Sequence, residues 1–506
     1  MCDSPGPVTP PSGLPAISPT RGEISSFAGR PEGRKLPRQF RQLPPWLLVI
    51  AGLTPTSALA HASDRGYVLL LPTGYYLVGG ALAVAASFIV LMFASRQALE
   101  HLAASRFRIG SVPEALRLPA SLISFLVFAT LVSAGFLGSR DPLSNPLPLV
   151  VWTLVWVGLT LLQGLFGNLW AWINPWYGPW RMAMALLGRA VGDPPLRMPA
   201  WLSLWPALAL LIAFAWFELI YPAPDDPWRL AWAVGGYWLF SFAMMLLFGY
   251  EQWSRRGEFL SVFFGMIARF GIVARSRDDR VALCLPGAKL ADTPVLPLGG
   301  TLFLLFALAS VSFDGLSKTF FYFSLDGMNP LEPPGRTALI GFNTAGLLAA
   351  GALLAGAFFI CVLCGEKLAG GGQGLLVAAG TYVWSIVPIA LAYHFSHYLT
   401  ALLVNGQYAL VALSDPFSLG WNLFGTSDMP VMAGIAVGSD AAWVVWNAQA
   451  AAIVGGHVLA VLAAHLLAFR LHATARAASA SQLPLTFLMI AYTVFGLWLL
   501  STPTAG

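Results

Sequence analysis

Ten apolar runs recur along this chain, separated by Gly/Pro clusters or by charge: near 75–93, 119–138, 147–167, 201–221, 229–249, 298–315, 337–364, 375–403, 444–469 and 484–502. An α-helix needs about 20 apolar residues to cross about 30 Å of hydrocarbon, and most of these runs have that length. The expected fold is therefore all-α, a polytopic integral membrane bundle of about ten transmembrane helices. Composition supports this. Charged residues make up only 10% of the 506 and hydrophobic residues 57%, where a soluble domain carries about 25% charge. Mean hydropathy is +0.70. Such a chain cannot cover a globular surface in water, which excludes a soluble enzyme and intrinsic disorder. Its arginines are scattered between apolar runs, so there is no basic face for nucleic acid.

The first 45 residues hold ten prolines and no apolar run, and read as a Pro-rich leader that cannot fold compactly. Arg38 and Arg41 then precede the apolar stretch Trp46 to Leu53, followed by Ala58-Leu59-Ala60. A basic region, a short apolar core and a small-x-small site make a secretory signal peptide over 46–60, cleaved after Ala60. Residues 61–506 then form a single transmembrane domain, with 250–297 as its longest inner loop and 404–443 as its longest outer one. Within the inner loop, Phe259 to Ala274 reads as an interfacial helix and Val281 to Pro297 as a hairpin. Trp170, Trp172, Trp176 and Trp180 read as an interfacial aromatic belt.

The loops also orient the bundle. With the mature N-terminus outside, 17 Lys and Arg fall on the inner side and five on the outer, as the positive-inside rule requires. The expected location is a bacterial cytoplasmic membrane, with both ends of the mature chain periplasmic or extracellular.

An ionisable side chain in hydrocarbon costs about 2.5 kcal/mol or more, so those within the spans are candidates for function. His394 and His397 lie three apart on one helical face. At about 1.5 Å per residue, His394 sits about 12 Å below an outer boundary at Leu402, and His457 about 15 Å below one at Asn447. His465 falls near the inner surface beside Arg470. Asp314, Glu218, Asn343, Asn447 and Gln449 lie at similar or shallower levels. Three imidazoles from His394, His397 and His457 with one carboxylate suit zinc, copper or another divalent metal, whose bound water would ionise near pH 7. Asp314 would be a ligand or the base orienting that water, with Glu218 as a second catalytic carboxylate. Two other readings stay open: histidines that hydrogen-bond across helices, and a bis-His haem b between two helices. Cleavage after Ala60 would make His61 the N-terminus, whose amine and ring nitrogen together chelate copper.

Nucleophilic serine catalysis has no support, since there is no G-x-S-x-G, no phosphate-binding Gly-x4-Gly-Lys-Ser/Thr loop and no H-E-x-x-H. The four cysteines, Cys2, Cys284, Cys361 and Cys364, are too few and too scattered for a disulfide framework. Cys361 and Cys364 sit in an apolar run and read as packing residues. Gly370-Gly371-Gly372 with Gly374 is a flexible inner loop.

Several stretches resemble the polytopic bacterial proteins named fenitrothion hydrolase: Leu71-Pro-Thr-Gly-Tyr-Tyr-Leu77, Gly167-Asn-Leu-Trp170 with Ile173-Asn-Pro-Trp176, Val311-Ser-Phe-Asp-Gly-Leu-Ser317, and Ile453-Val-Gly-Gly-His457 with Ala464-His465. They spread over most of the mature chain and are packing and turn motifs. The resemblance implies hydrolysis of an organophosphorus triester to a nitrophenol and a dialkyl (thio)phosphate, acting on a hydrophobic small molecule drawn from the lipid bilayer. The metal reading would then predict loss of hydrolysis in His394→Ala and His457→Ala. The competing classes are a copper, zinc or small-solute transporter or metal-delivery protein, and a haem-bearing electron-transfer protein.

Overall fold

Runs of Leu, Ala, Val and Phe in hydrocarbon leave each peptide group no partner but its own helix. A computed structural model of the chain describes residues 73–190, 194–275, 280–329, 331–332, 335–436 and 438–502. The leader, the signal peptide and His61 lie outside the described residues. Ten helices are long and apolar enough to span a membrane: Thr73–Met92, Glu114–Leu137, Pro146–Phe166, Ala200–Leu219, Pro227–Phe248, Leu298–Leu316, Arg336–Leu368, Leu375–Ser414, Asp440–Leu471 and Ala475–Ser501. The protein is an integral membrane protein of the all-α class.

The sixth and eighth spans form the centre, with 83% of each apolar window buried, against 17% for the first and 22% for the second and seventh. The sixth packs on the fourth, seventh and eighth spans, and the eighth on the third and ninth. In the third span, Leu149–Leu159 winds as a π-helix, a rare geometry frequent at functional sites.

Four expectations are corrected. The eighth span does not stop at 403 but runs to Ser414, because Ala409 and Ala412 pack against Leu149 and no breaker occurs before Asp415-Pro416. The outer segment is shorter accordingly. The tenth span begins at Ala475 and carries Pro484 within it. The presumed interfacial helix ends at Ile267 and is buried on all sides, Phe259, Phe263, Phe264 and Ile267 included. The tryptophan belt is mostly core as well, with Trp170, Trp176 and Trp180 all buried.

These last two corrections share a cause: two helical hairpins that enter halfway and return. In the first, Trp170–Ile173 and Tyr177–Leu186 flank Asn174-Pro175-Trp176. Trp176 donates to the carbonyl of Trp238, and Trp238 to that of Pro175. Trp238 is midway along the fifth span. In the second, Tyr250–Arg256 and Phe259–Ile267 flank Gly257-Glu258. Glu258 accepts from the Tyr237 hydroxyl, again at mid-span, and from the amides of Leu260 and Ser261. Gly271 returns to Gly167 at the end of the third span, where even a methyl group would collide with the backbone. A small antiparallel sheet closes this side, in the order β1 (Arg106–Ser111), β3 (Arg280–Cys284), β2 (Val273–Arg275). The expected hairpin is thus β2–β3, set earlier than Val281 to Pro297, and β1 joins it from between the first two spans.

Close helix contact depends on small residues. A Cβ on Gly365 would stand 1.9 Å from the Ser481 carbonyl oxygen of the tenth span, whereas one on Gly356 of the same helix meets nothing within 4 Å. Gly365→Ala should cost about 1–3 kcal/mol through overpacking and lower Tm in detergent by several degrees. Gly356→Ala should leave Tm nearly unchanged.

Candidate functional site

Asp314 is the seventeenth residue of the sixth span and nearly inaccessible, its side chain 7% exposed. A bare carboxylate there would be costly, and its neighbours compensate. Lys318, one turn on, places Nζ 2.6 Å from Oδ1. From the eighth span, His397 donates through Nε2 to Oδ2 at 2.6 Å. The Tyr398 hydroxyl lies 3.2 Å from Oδ2 and 3.2 Å from Oε1 of Glu218 at the end of the fourth span, bridging the two acids. Arg336, at the start of the seventh span, donates to the carbonyls of Glu218 and Tyr221. The cluster thus draws on four spans at the ends of the fourth and sixth, and Lys318 within it is half-exposed.

Of the proposed residues, the structure brings Asp314, His397 and Glu218 together. It does not bring His457. Nδ1 of that ring bonds the carbonyl of Ile453 on its own helix, and the ring lies between Tyr393 and Tyr492. His394 touches the cluster only edgewise, through Tyr398. Its Nε2 donates to the Trp156 carbonyl at 2.9 Å, which also accepts from Thr160. Three residues apart on a helix leaves enough angle for His394 to face the third span while His397 faces the sixth. Among the described residues no three of His, Cys, Asp and Glu stand as a metal-binding group. A bis-His haem would need the Nε2 of His394, which Trp156 holds. His465 accepts from Gln482, Asn447 accepts from Tyr76, and Gln449 donates to the Ser396 carbonyl. Asn343 Oδ1 is buried with no partner among the described residues. Cys361 and Cys364 are free thiols.

Sequence reasoning missed Lys318 and Tyr398. The first carried a signal, since Asp314 and Lys318 are an acid and a base at i and i+4. Tyr398 carried none beyond its place beside His397. It also missed a buried pair at the opposite end of the bundle, His472 Nε2 to Glu366 Oε1 at 3.1 Å.

What the cluster offers is an oriented imidazole. With Nε2 given to Asp314, the proton-accepting atom of neutral His397 is Nδ1. That atom would be 3.7 Å from a Cβ on Gly315, an ordinary van der Waals contact. An apolar cavity of about 380 Å³ lies among the second to fifth spans and the two half-crossing hairpins, walled by Trp152, Trp156, Phe214, Phe217, Tyr237 and Phe259. Trp156 packs on His394, and Phe217 precedes Glu218.

Comparison with protein-family models, curated proteins and solved structures finds no match.

The pairing within the cluster is measurable. Lys318→Met leaves Asp314 without its closest cation and should lower Tm by several degrees. Adding Asp314→Asn should recover much of that loss, with a coupling of about 1–3 kcal/mol in a double-mutant cycle. Additive effects would show that the pair contributes nothing.

Proposed function

We propose that this protein is a membrane-embedded hydrolase of neutral, hydrophobic esters of the organophosphorus triester class, with His397 as general base. The observation that carries this reading is the 2.6 Å contact from Asp314 to His397 Nε2; an aromatic cavity sized for an aryl group reaches Phe217, the residue before Glu218, and Trp156, which packs on His394. Asp314 holds the ring in one tautomer and stabilises the imidazolium that forms when Nδ1 takes a proton from water. The water oxygen bonds to phosphorus, the bond from phosphorus to the aryl oxygen breaks, and nitrophenolate leaves with the electron pair. The proton on His397 then returns to solvent past Lys318. A neutral triester dissolves in the bilayer and reaches this half of the bundle without crossing water. The resemblance to fenitrothion hydrolases supports the substrate class, and the reaction as written needs no metal.

The role assigned to the histidines therefore differs from that of a three-imidazole metal site. In vesicles containing the purified protein, His397→Ala and Asp314→Asn should each slow nitrophenol release by about 10²-fold or more. His457→Ala should stay within a few-fold of wild type. Equal rates for wild type and His397→Ala would sink the proposal.

We infer that the protein lies in a bacterial cytoplasmic membrane with the cluster facing outward, a reading supported by the excess of Lys and Arg in the loops of one side. In a cysteine-free background, Ser427→Cys should react with an impermeant maleimide in intact cells and Gly372→Cys only after lysis. The opposite pattern would invert the topology.

Transport is the second reading, favoured by the two half-crossing hairpins, since interrupted helices line many transport paths. Hydrolysis that persists in detergent, with no gradient present, separates the first reading from the second.

A further inference from the structure

A cavity of about 1210 Å³ opens on the opposite side of the bundle, between the second half-crossing hairpin and the small sheet. Its cations are Arg255, Arg269, Arg275 and Lys289, with Asp292 as the acid on its wall. Arg255 is paired with Glu251 at 3.0 Å, and Arg275 lies over the Trp172 ring at 4.7 Å. Among the described residues no carboxylate lies within ion-pairing distance of Arg269 or Lys289. Lys289 Nζ instead donates to the carbonyl of Val273 at 2.6 Å.

The wall beside these two cations lacks side chains. A Cβ on Gly167 would stand 3.0 Å from the Val273 carbonyl oxygen and 3.5 Å from Lys289 Nζ, and one on Gly265 would meet Asn168 Nδ2 at 3.9 Å and nothing nearer. The two glycines leave an ammonium and an amide open to the cavity. Burial lowers the Lys289 ammonium to about 8; Cys284 opposes the shift, while Arg269 and Arg106 add to it. Trp172, Met266, Trp384 and Leu296 supply the apolar part of the lining. A half-buried ammonium beside exposed arginines and an apolar wall, on the side of a membrane protein rich in arginine, matches an anionic head carried on an apolar body.

We propose that this vestibule binds an amphiphilic organic phosphate, its phosphate at Lys289, Arg269 and Asn168 and its apolar portion against Trp172 and Met266. The inference does not rest on the hydrolase reading, because the Asp314 cluster lies at the other end of the bundle. Such a phosphate comes either from an anionic phospholipid or from a soluble aromatic phosphate.

Two measurements on the full chain separate these sources. Native mass spectrometry after exchange into mixed phosphatidylglycerol and phosphatidylcholine vesicles reads lipid retention. Tryptophan quenching by 1-naphthyl phosphate in phosphatidylcholine nanodiscs reads the soluble ligand. Retained phosphatidylglycerol in the first, or saturable quenching in the second, should weaken at least tenfold in Arg269→Gln/Lys289→Gln. The responding arm identifies the source. Arg269→Gln alone, at an exposed side chain that makes no bond to the sheet among the described residues, should weaken binding at least threefold, so that misfolding of the double variant cannot mimic the result. Binding in neither arm, or binding unchanged in Arg269→Gln, overturns the proposal.

Discussion

Hydrocarbon offers no hydrogen-bond partner, so a polar group within these ten spans is costly unless the protein itself supplies one. Asp314 illustrates the demand. Its two oxygens meet Lys318, His397 and Tyr398, drawn from its own helix and the eighth span. The half-crossing hairpins meet the same demand at their tips. Glu258 caps the amides of Leu260 and Ser261 where that helix begins, and Asn174 accepts from the amides of Trp176 and Tyr177. Without these caps, helix ends at mid-depth would leave bare N–H groups in an apolar medium.

The same economy gives the bundle two unlike ends. At one end, acids, a lysine and a histidine from the fourth, sixth and eighth spans close on one another and leave His397 Nδ1 as the available atom. At the other end, cations outnumber acids around a wide cavity, and among the described residues Arg269 and Lys289 have no carboxylate partner. The central sixth and eighth spans carry the Asp314 cluster, so its geometry is held by the best-packed helices. The wide cavity is walled by shorter and less continuous elements, the hairpins and the three-stranded sheet.

Much of the fold was legible because each span announces itself by length and apolarity, and most predicted boundaries fall within a few residues of the helices. The ends that moved were those where helix continues beyond the apolar core, at Ser414 and Ala475. The half-crossing hairpins were not legible. Their helices are too short to read as spans, and a segment such as Phe259–Ile267, apolar on every side, shows no polar face to reveal its neighbours. The site was partly legible. Ionisable residues inside spans were the right shortlist, and Asp314, His397 and Glu218 do meet. His457 lies elsewhere, because counting residues along a helix gives depth and leaves the direction of the side chain open.

By itself, then, the sequence determined the class of fold, the number of crossings, the asymmetry of charge between the two sides and the few side chains too polar to lie idle in lipid. These follow from solvation free energy, which is additive along the chain and readable in one dimension. Only the tertiary structure decided which of those side chains share a site. Hydrogen bonds act over about 3 Å, and helix rotation, the π-helical third span and the approach of Tyr398 to both carboxylates are set by packing among spans far apart in sequence. A turn of about 100° per residue is enough to give His394 to Trp156 and His397 to Asp314.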